Sequence, residues 1–223
     1  MKTKALVLAG LVSLAGVAAS EAQTVYSVNA VGFVNVTVAP GAFQIIANPL
    51  AQSASDLNSL LPGAPVNTII YKFDTGTGSF TSFTKRSTGF WTGINVNTTS
   101  FNPGEGFFVK NPDTVNPLVL TFTGEVLQSS GTPLQNSIPA GFSILASQVP
   151  VAGTLEAQLG FPAGVNDIVY KFVDGQYIAS TRRANGSWTG VVPGDPQISV
   201  AEGFFFSNGG ASKTWSRTFS VSN

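Results

Sequence analysis

The chain has 223 residues with 11 basic and 11 acidic side chains, no histidine and no cysteine. Such a balance argues against a nucleic-acid binder, which needs a basic stripe to meet phosphates. Lack of histidine excludes Ser-His-Asp and Cys-His nucleophile systems and the usual histidine-bearing zinc and copper sites, and lack of cysteine leaves the fold to apolar burial and hydrogen bonding alone.

The first 22 residues read as a secretory signal. Lys2 and Lys4 give a basic start, Ala5 to Ala19 is an apolar stretch, and Ser20-Glu21-Ala22 places small residues at both recognition positions of a cleavage site. The apolar stretch is shorter than the roughly 20 residues that span a bilayer, and no cysteine follows it to carry a lipid. Cleavage after Ala22 leaves a secreted or periplasmic chain with no membrane span. Removing Lys2, Lys4 and Glu21 leaves nine basic and ten acidic side chains.

Next, Val31 to Val38 alternates as a strand, with Val34, Val36 and Val38 on one face. Ala39-Pro40-Gly41-Ala42 reads as a turn, and Phe43 to Ala47 as a second strand stopped by Asn48-Pro49. A short helix is expected between Ser53 and Leu61, capped by Ser53 or Ser55, with Leu57, Leu60 and Leu61 buried. Asn67 to Phe73 reads as a central strand with Ile69, Tyr71 and Phe73 on one face. Phe80 to Lys85, Phe107 to Val109 and Leu118 to Phe122 are further strands.

Most of this order then returns. Phe43 and Tyr71 recur as Phe142 and Tyr170, both 99 residues on, whereas Trp91 and Glu105 recur as Trp188 and Glu202, both 97 on. The two-residue shift falls where Asp74-Thr75-Gly76-Thr77-Gly78 is answered by the shorter Val173-Asp174-Gly175, a loop that can change length without disturbing its flanking strands. A second short helix is expected from Thr154 to Leu159, closed by Gly160. The reading is therefore all-β: a signal peptide (1–22), a first β module (23–128) and a second (129–223), each an antiparallel sandwich or partly closed barrel of about six strands with a short capping helix. A single domain with internal pseudo-twofold symmetry is the rival.

Candidate sites come in pairs. Trp91 and Trp188 follow tight turns, where an indole can stack on a sugar ring or plug the core. Lys85-Arg86 and Arg182-Arg183 precede them, so that Arg86 and Arg183 are candidate contacts for an anionic glycan or partner. Glu105 and Glu202 each stand between a turn and a phenylalanine run. Bracing the turn is the expected role, since an enzyme with one active site rarely needs two copies of each acid; the competing reading is a carboxylate pair for glycoside hydrolysis. Asp74 and Asp174 suit local acceptance of backbone N–H groups. No cofactor or metal is expected, because no loop is dense in acids.

Gly41 to Leu50 (GAFQIIANPL) and Asn102 to Val109 (NPGEGFFV) resemble signatures of a largely uncharacterised class of exported bacterial tandem β-module proteins, found in verrucomicrobial and related genomes. The second module departs from the class at Ser147-Gln148-Val149-Pro150 and Val200-Ala201. The resemblance implies export and a β fold and carries over no catalytic residue. The expectation is a secreted, non-catalytic structural or surface protein of the envelope or matrix, partnered by polysaccharide, other envelope proteins or its own copies. A carbohydrate-binding protein using the tryptophans is the alternative, and a glycoside hydrolase ranks third.

Overall fold

The computed structural model describes residues 30–221, so the signal reading lies outside the described residues. The first half contains strands β1 (Val31–Val38), β2 (Phe43–Ala47), β3 (Ile69–Asp74), β4 (Ser79–Lys85), β5 (Trp91–Thr92), β6 (Gly106–Lys110) and β7 (Leu118–Glu125). The second half contains β8 (Leu134–Ile138), β9 (Gly141–Ala146), β10 (Gly153–Thr154), β11 (Ile168–Val173), β12 (Gln176–Arg182), β13 (Trp188–Gly190), β14 (Gln197–Ile198), β15 (Gly203–Asn208) and β16 (Lys213–Arg217). Among the described residues, the regular secondary structure is almost entirely strand. Every ladder is antiparallel.

Two five-stranded sheets carry the same order, β2-β6-β3-β4-β5 in the first half and β9-β15-β11-β12-β13 in the second. A two-stranded ribbon accompanies each, β1-β7 and β8-β16, and β10-β14 adds a short third pairing. All the sheets are open, which corrects the barrel alternative. The expected hairpin difference is present. Asp74 pairs with Ser79 across four loop residues, whereas Val173 pairs with Gln176 across two. Asp174 and Gly175 have φ of 49° and 78°, the positive pair that a type I′ turn requires.

Strand periodicity decides where each ring goes. Ile46, Ile70, Phe107 and Val109 face the ribbon β1-β7 and share a core with Val36, Leu120 and Phe122. On the second sheet Leu145, Val169, Phe204 and Phe206 pack with Ile138 and Trp215 of the other ribbon. The alternate residues turn the opposite way. Ile45 and Phe108 meet Ile144 and Phe205 in a third core between the two sheets, flanked by Tyr71, Phe73, Tyr170 and Phe172. Apolar surface therefore continues from one half to the other.

Helix expectations need correction. The first half has one short helix, α1 (Leu57–Leu60), whose N-cap is Asp56, with Oδ1 accepting from the N–H of Asn58 and Ser59. Ser53 and Ser55 lie too far upstream for those orphan donors. Residues 155 to 159 form turns without a helix. There the N–H groups of Glu156 and Ala157 donate to Asp195, 38 or more positions away. No helix among the described residues is long and apolar enough to cross a membrane.

Candidate functional site

The two tryptophans begin β5 and β13, at the outer end of each five-stranded sheet, and both turn inward. Trp91 is 2% exposed and Trp188 4%. Trp91 Nε1 donates to the Leu61 carbonyl at 3.0 Å, and Trp188 Nε1 to Glu156 Oε2 at 2.5 Å. With ring faces packed and N–H groups satisfied, neither indole can stack on a sugar. Both residues are core plugs, and the alternative tryptophan platform has no exposed ring face to use, because a residue after a tight turn can still face the core.

Arg86 and Arg183 are exposed. Their Nε atoms donate to Thr92 Oγ1 at 2.9 Å and Thr189 Oγ1 at 2.7 Å, so each braces the hairpin that delivers its tryptophan. Neighbouring Lys85 is buried and donates to the Pro62 carbonyl at 2.7 Å, and burial pulls its ammonium below the ordinary lysine range. Arg182, in the matching position, pairs instead with Glu156 at 2.6 Å.

Glu105 and Glu202 hold matching turns. Glu105 Oε2 accepts the Asn102 N–H at 3.0 Å and the Lys72 ammonium at 2.9 Å. Glu202 accepts the Ser199 N–H at 2.8 Å and pairs with Lys171 at 3.0 Å. Lys72 Nζ also lies 4.9 Å above the Phe101 ring. Asp74 Oδ1 accepts the N–H groups of Gly76 and Thr77, as expected of an aspartate in a hairpin loop.

Immediately before the two glutamates the halves interlock. The Ala47 N–H donates to the Ala201 carbonyl at 2.9 Å, and the Ala146 N–H to the Gly104 carbonyl at 3.0 Å. Gly104 adopts φ of 98° with no room for a Cβ, which would fall 2.6 Å from Asn136 Nδ2. Ala201 keeps a positive φ of 58° despite its methyl group and packs that methyl into the first core.

Three clefts border this junction. One of about 600 Å³ is lined by Lys72, Asp74, Glu105, Asn136 and Ser143. Another of about 670 Å³ is lined by Asn35, Thr37, Asp174 and Glu202. A third of about 580 Å³ is aromatic, with Phe73, Phe142, Tyr170, Tyr177 and Phe205 around it. Phe142 and Tyr177 are each half-exposed there. Burial raises the Tyr177 hydroxyl above the ordinary phenol range. Among the described residues no cluster of three or more acids could hold a metal ion.

Asn111 and Asn208 are polar residues that the sequence reading missed. Both are buried. Asn111 Nδ2 donates to the carbonyls of Val38, Ala39 and Asn116, and Asn208 Nδ2 to those of Pro139 and Ala211. The available signal was an asparagine at the same 97-residue offset, just beyond each phenylalanine run. No family model matches the chain, and neither does any curated protein or solved structure.

Proposed function

We propose that the chain is an exported, non-catalytic structural or surface protein of the cell envelope or extracellular matrix, built from two tandem copies of one β module. The observation that carries this reading is how the paired charges are used. Glu105 and Glu202 are each held by a lysine and a turn N–H, and Asp74 by two N–H groups of its own loop. Each of these carboxylates is thus engaged in holding its own turn, which is the use a structural role calls for. Fractionating the producing cell tests the proposal: the protein is expected in the envelope or the medium, and retention in the cytoplasm overturns it. Release of reducing sugar from envelope polysaccharide by the purified protein would do so equally.

A second reading, glycan binding, is favoured by one observation of its own. The half-exposed rings of Phe142 and Tyr177 beside Tyr170 offer apolar faces and phenol hydroxyls at one cleft. A pull-down against native cell-wall and extracellular polysaccharides tests it, with Tyr177→Ala expected to abolish retention. Retention unchanged by that substitution, or no retention by any polysaccharide, removes this reading.

A further inference from the structure

The two ribbons differ at their outer edges. In β1-β7, the Val126 N–H donates to the Ala30 carbonyl, which fixes the hydrogen-bonding parity of the ladder that continues from it. Gly32, Val34, Val36 and Val38 then point their backbone groups at β7, and Val31, Phe33, Asn35 and Thr37 point theirs away from it. The far edge of β7 is partly closed, because Glu125 exchanges two hydrogen bonds with Ala51 and the Gln52 side chain donates to the Thr123 carbonyl. Among the described residues, the outward backbone groups of Val31, Phe33, Asn35 and Thr37 meet no partner.

On the matching edge of β8 one outward carbonyl is capped, and a neighbouring side chain is tied across to the first half. Gln148 Nε2 donates to the Gln135 carbonyl at 3.1 Å, and Asn136 Nδ2 to the Gly104 carbonyl at 2.9 Å. The residue 99 positions before Gln148 is Pro49, which has no side-chain donor. The exchange of Asn48-Pro49-Leu50 for Ser147-Gln148-Val149 otherwise preserves local structure. Asn48 Oδ1 accepts the Leu50 N–H as Ser147 Oγ accepts the Val149 N–H. What changes between the halves is whether a side chain reaches the outer edge of the ribbon's first strand, as Gln148 does on β8 and none does on β1 among the described residues.

We propose that the outer edge of β1 pairs antiparallel with β1 of a second copy, giving a symmetric dimer. The strand is complementary to itself. Centred on Val34, the pairing sets Val31 against Thr37 and Phe33 against Asn35, so that all four open residues of each copy exchange backbone bonds. No charged side chain occurs from residue 22 to residue 55, and β1 has no proline, so the usual blocks to edge pairing are missing. Val31 and Phe33 are 74% and 70% exposed, and in this register the two Phe33 rings become diagonal neighbours across the new seam. The inference goes beyond the envelope reading and stands without it.

The test uses protein expressed from the full chain and purified in the form in which the cell leaves it. Sedimentation equilibrium is expected to show a reversible dimer that Phe33→Lys and Asn35→Pro each abolish, while Gln135→Lys on the capped stretch of β8 leaves it unchanged. Val34→Cys gives the chain its sole thiol, at the residue that meets its own copy across the axis. Mild oxidation should trap a disulfide-linked dimer, because facing residues at such a site have Cα atoms about 4.5 Å apart. This variant keeps the outward backbone groups intact, so it reads the interface even if a charge or proline in β1 impairs folding. A wild-type chain that is monomeric at every concentration overturns the proposal, whether or not slow exchange of the Val31 and Phe33 amides shows the edge covered by the chain's own N-terminal segment. A dimer that survives both β1 substitutions, or Val34→Cys that stays unlinked, overturns it too.

Discussion

Gly106 and Gly203 pack against each other where the two sheets meet. A Cβ on Gly106 would lie 3.5 Å from the Gly203 Cα and 2.5 Å from Ile144 Cγ2, and one on Gly203 would lie 3.3 Å from the Gly106 Cα and 2.6 Å from Ile45 Cγ2. The glycine in each Glu-Gly-Phe-Phe run is therefore the point at which backbone from one half approaches the other.

Replacing either glycine by alanine should force the sheets apart at this contact. Gly106→Ala and Gly203→Ala are each expected to cost about 1 to 3 kcal/mol of stability through overpacking. Chemical denaturation checks this, and a change smaller than about 0.5 kcal/mol for both would show that the contact relaxes freely.

The phenylalanine after each of these glycines reports on one half's own core. Phe107 and Phe204 are fully buried against the ribbon side of their sheets. Phe107→Ala and Phe204→Ala should each destabilise by about 3 to 5 kcal/mol in equilibrium unfolding. Less than about 1 kcal/mol for both would contradict the packing described.

Asn111 and Asn208 tie the loop after β6 or β15 to the turn before β2 or β9. Asn111→Ala leaves three carbonyls without this donor and should cost about 1 to 3 kcal/mol. Asn111→Asp should be no milder, because it replaces the donor with a negative charge facing carbonyl oxygens. Thermal unfolding of the pair checks both.

Asp113 gives a pH-dependent contribution of known sign. Hydrogen bonds from the Asn116 side chain, then from the backbone N–H of Asn116 and Val115, hold its carboxyl below the ordinary value of 3.8. Its folded affinity for protons is thus weaker than its unfolded one, so its stabilisation is present above the ordinary carboxylate range and fades as pH falls through the lowered value. Urea unfolding of wild type and Asp113→Ala should differ near neutrality and converge at the acid end. A difference that does not change with pH would contradict the assignment.

Strands were legible because alternation records which side of a sheet a residue faces. Phe107 and Phe108 show what that record omits, since both are buried but one ring serves its own half and the next serves the junction. From sequence, Tyr71 and Phe73 share a face; nothing local says that the face meets Tyr170 and Phe172. Trp91 and Trp188 left two readings open for the converse reason, because their turn context is local and their hydrogen-bond acceptors, Leu61 and Glu156, lie 30 and 32 residues away. The turn at Glu156 and Ala157 was hidden similarly, its N–H groups being met by Asp195 rather than by an adjacent cap.

The bonds that Ala47 donates to Ala201 and Ala146 to Gly104 have a consequence for dilution. Two separate chains joined by such a seam would part as their concentration fell. Here one polypeptide carries both sides, and the connection is pinned by the Ser129 N–H on the Phe219 carbonyl and the Val221 N–H on Gln128 Oε1. Each half thus meets the other at an effective concentration set by a short tether, on the order of millimolar for a flexible link of that kind. The seam therefore persists at any dilution of the protein.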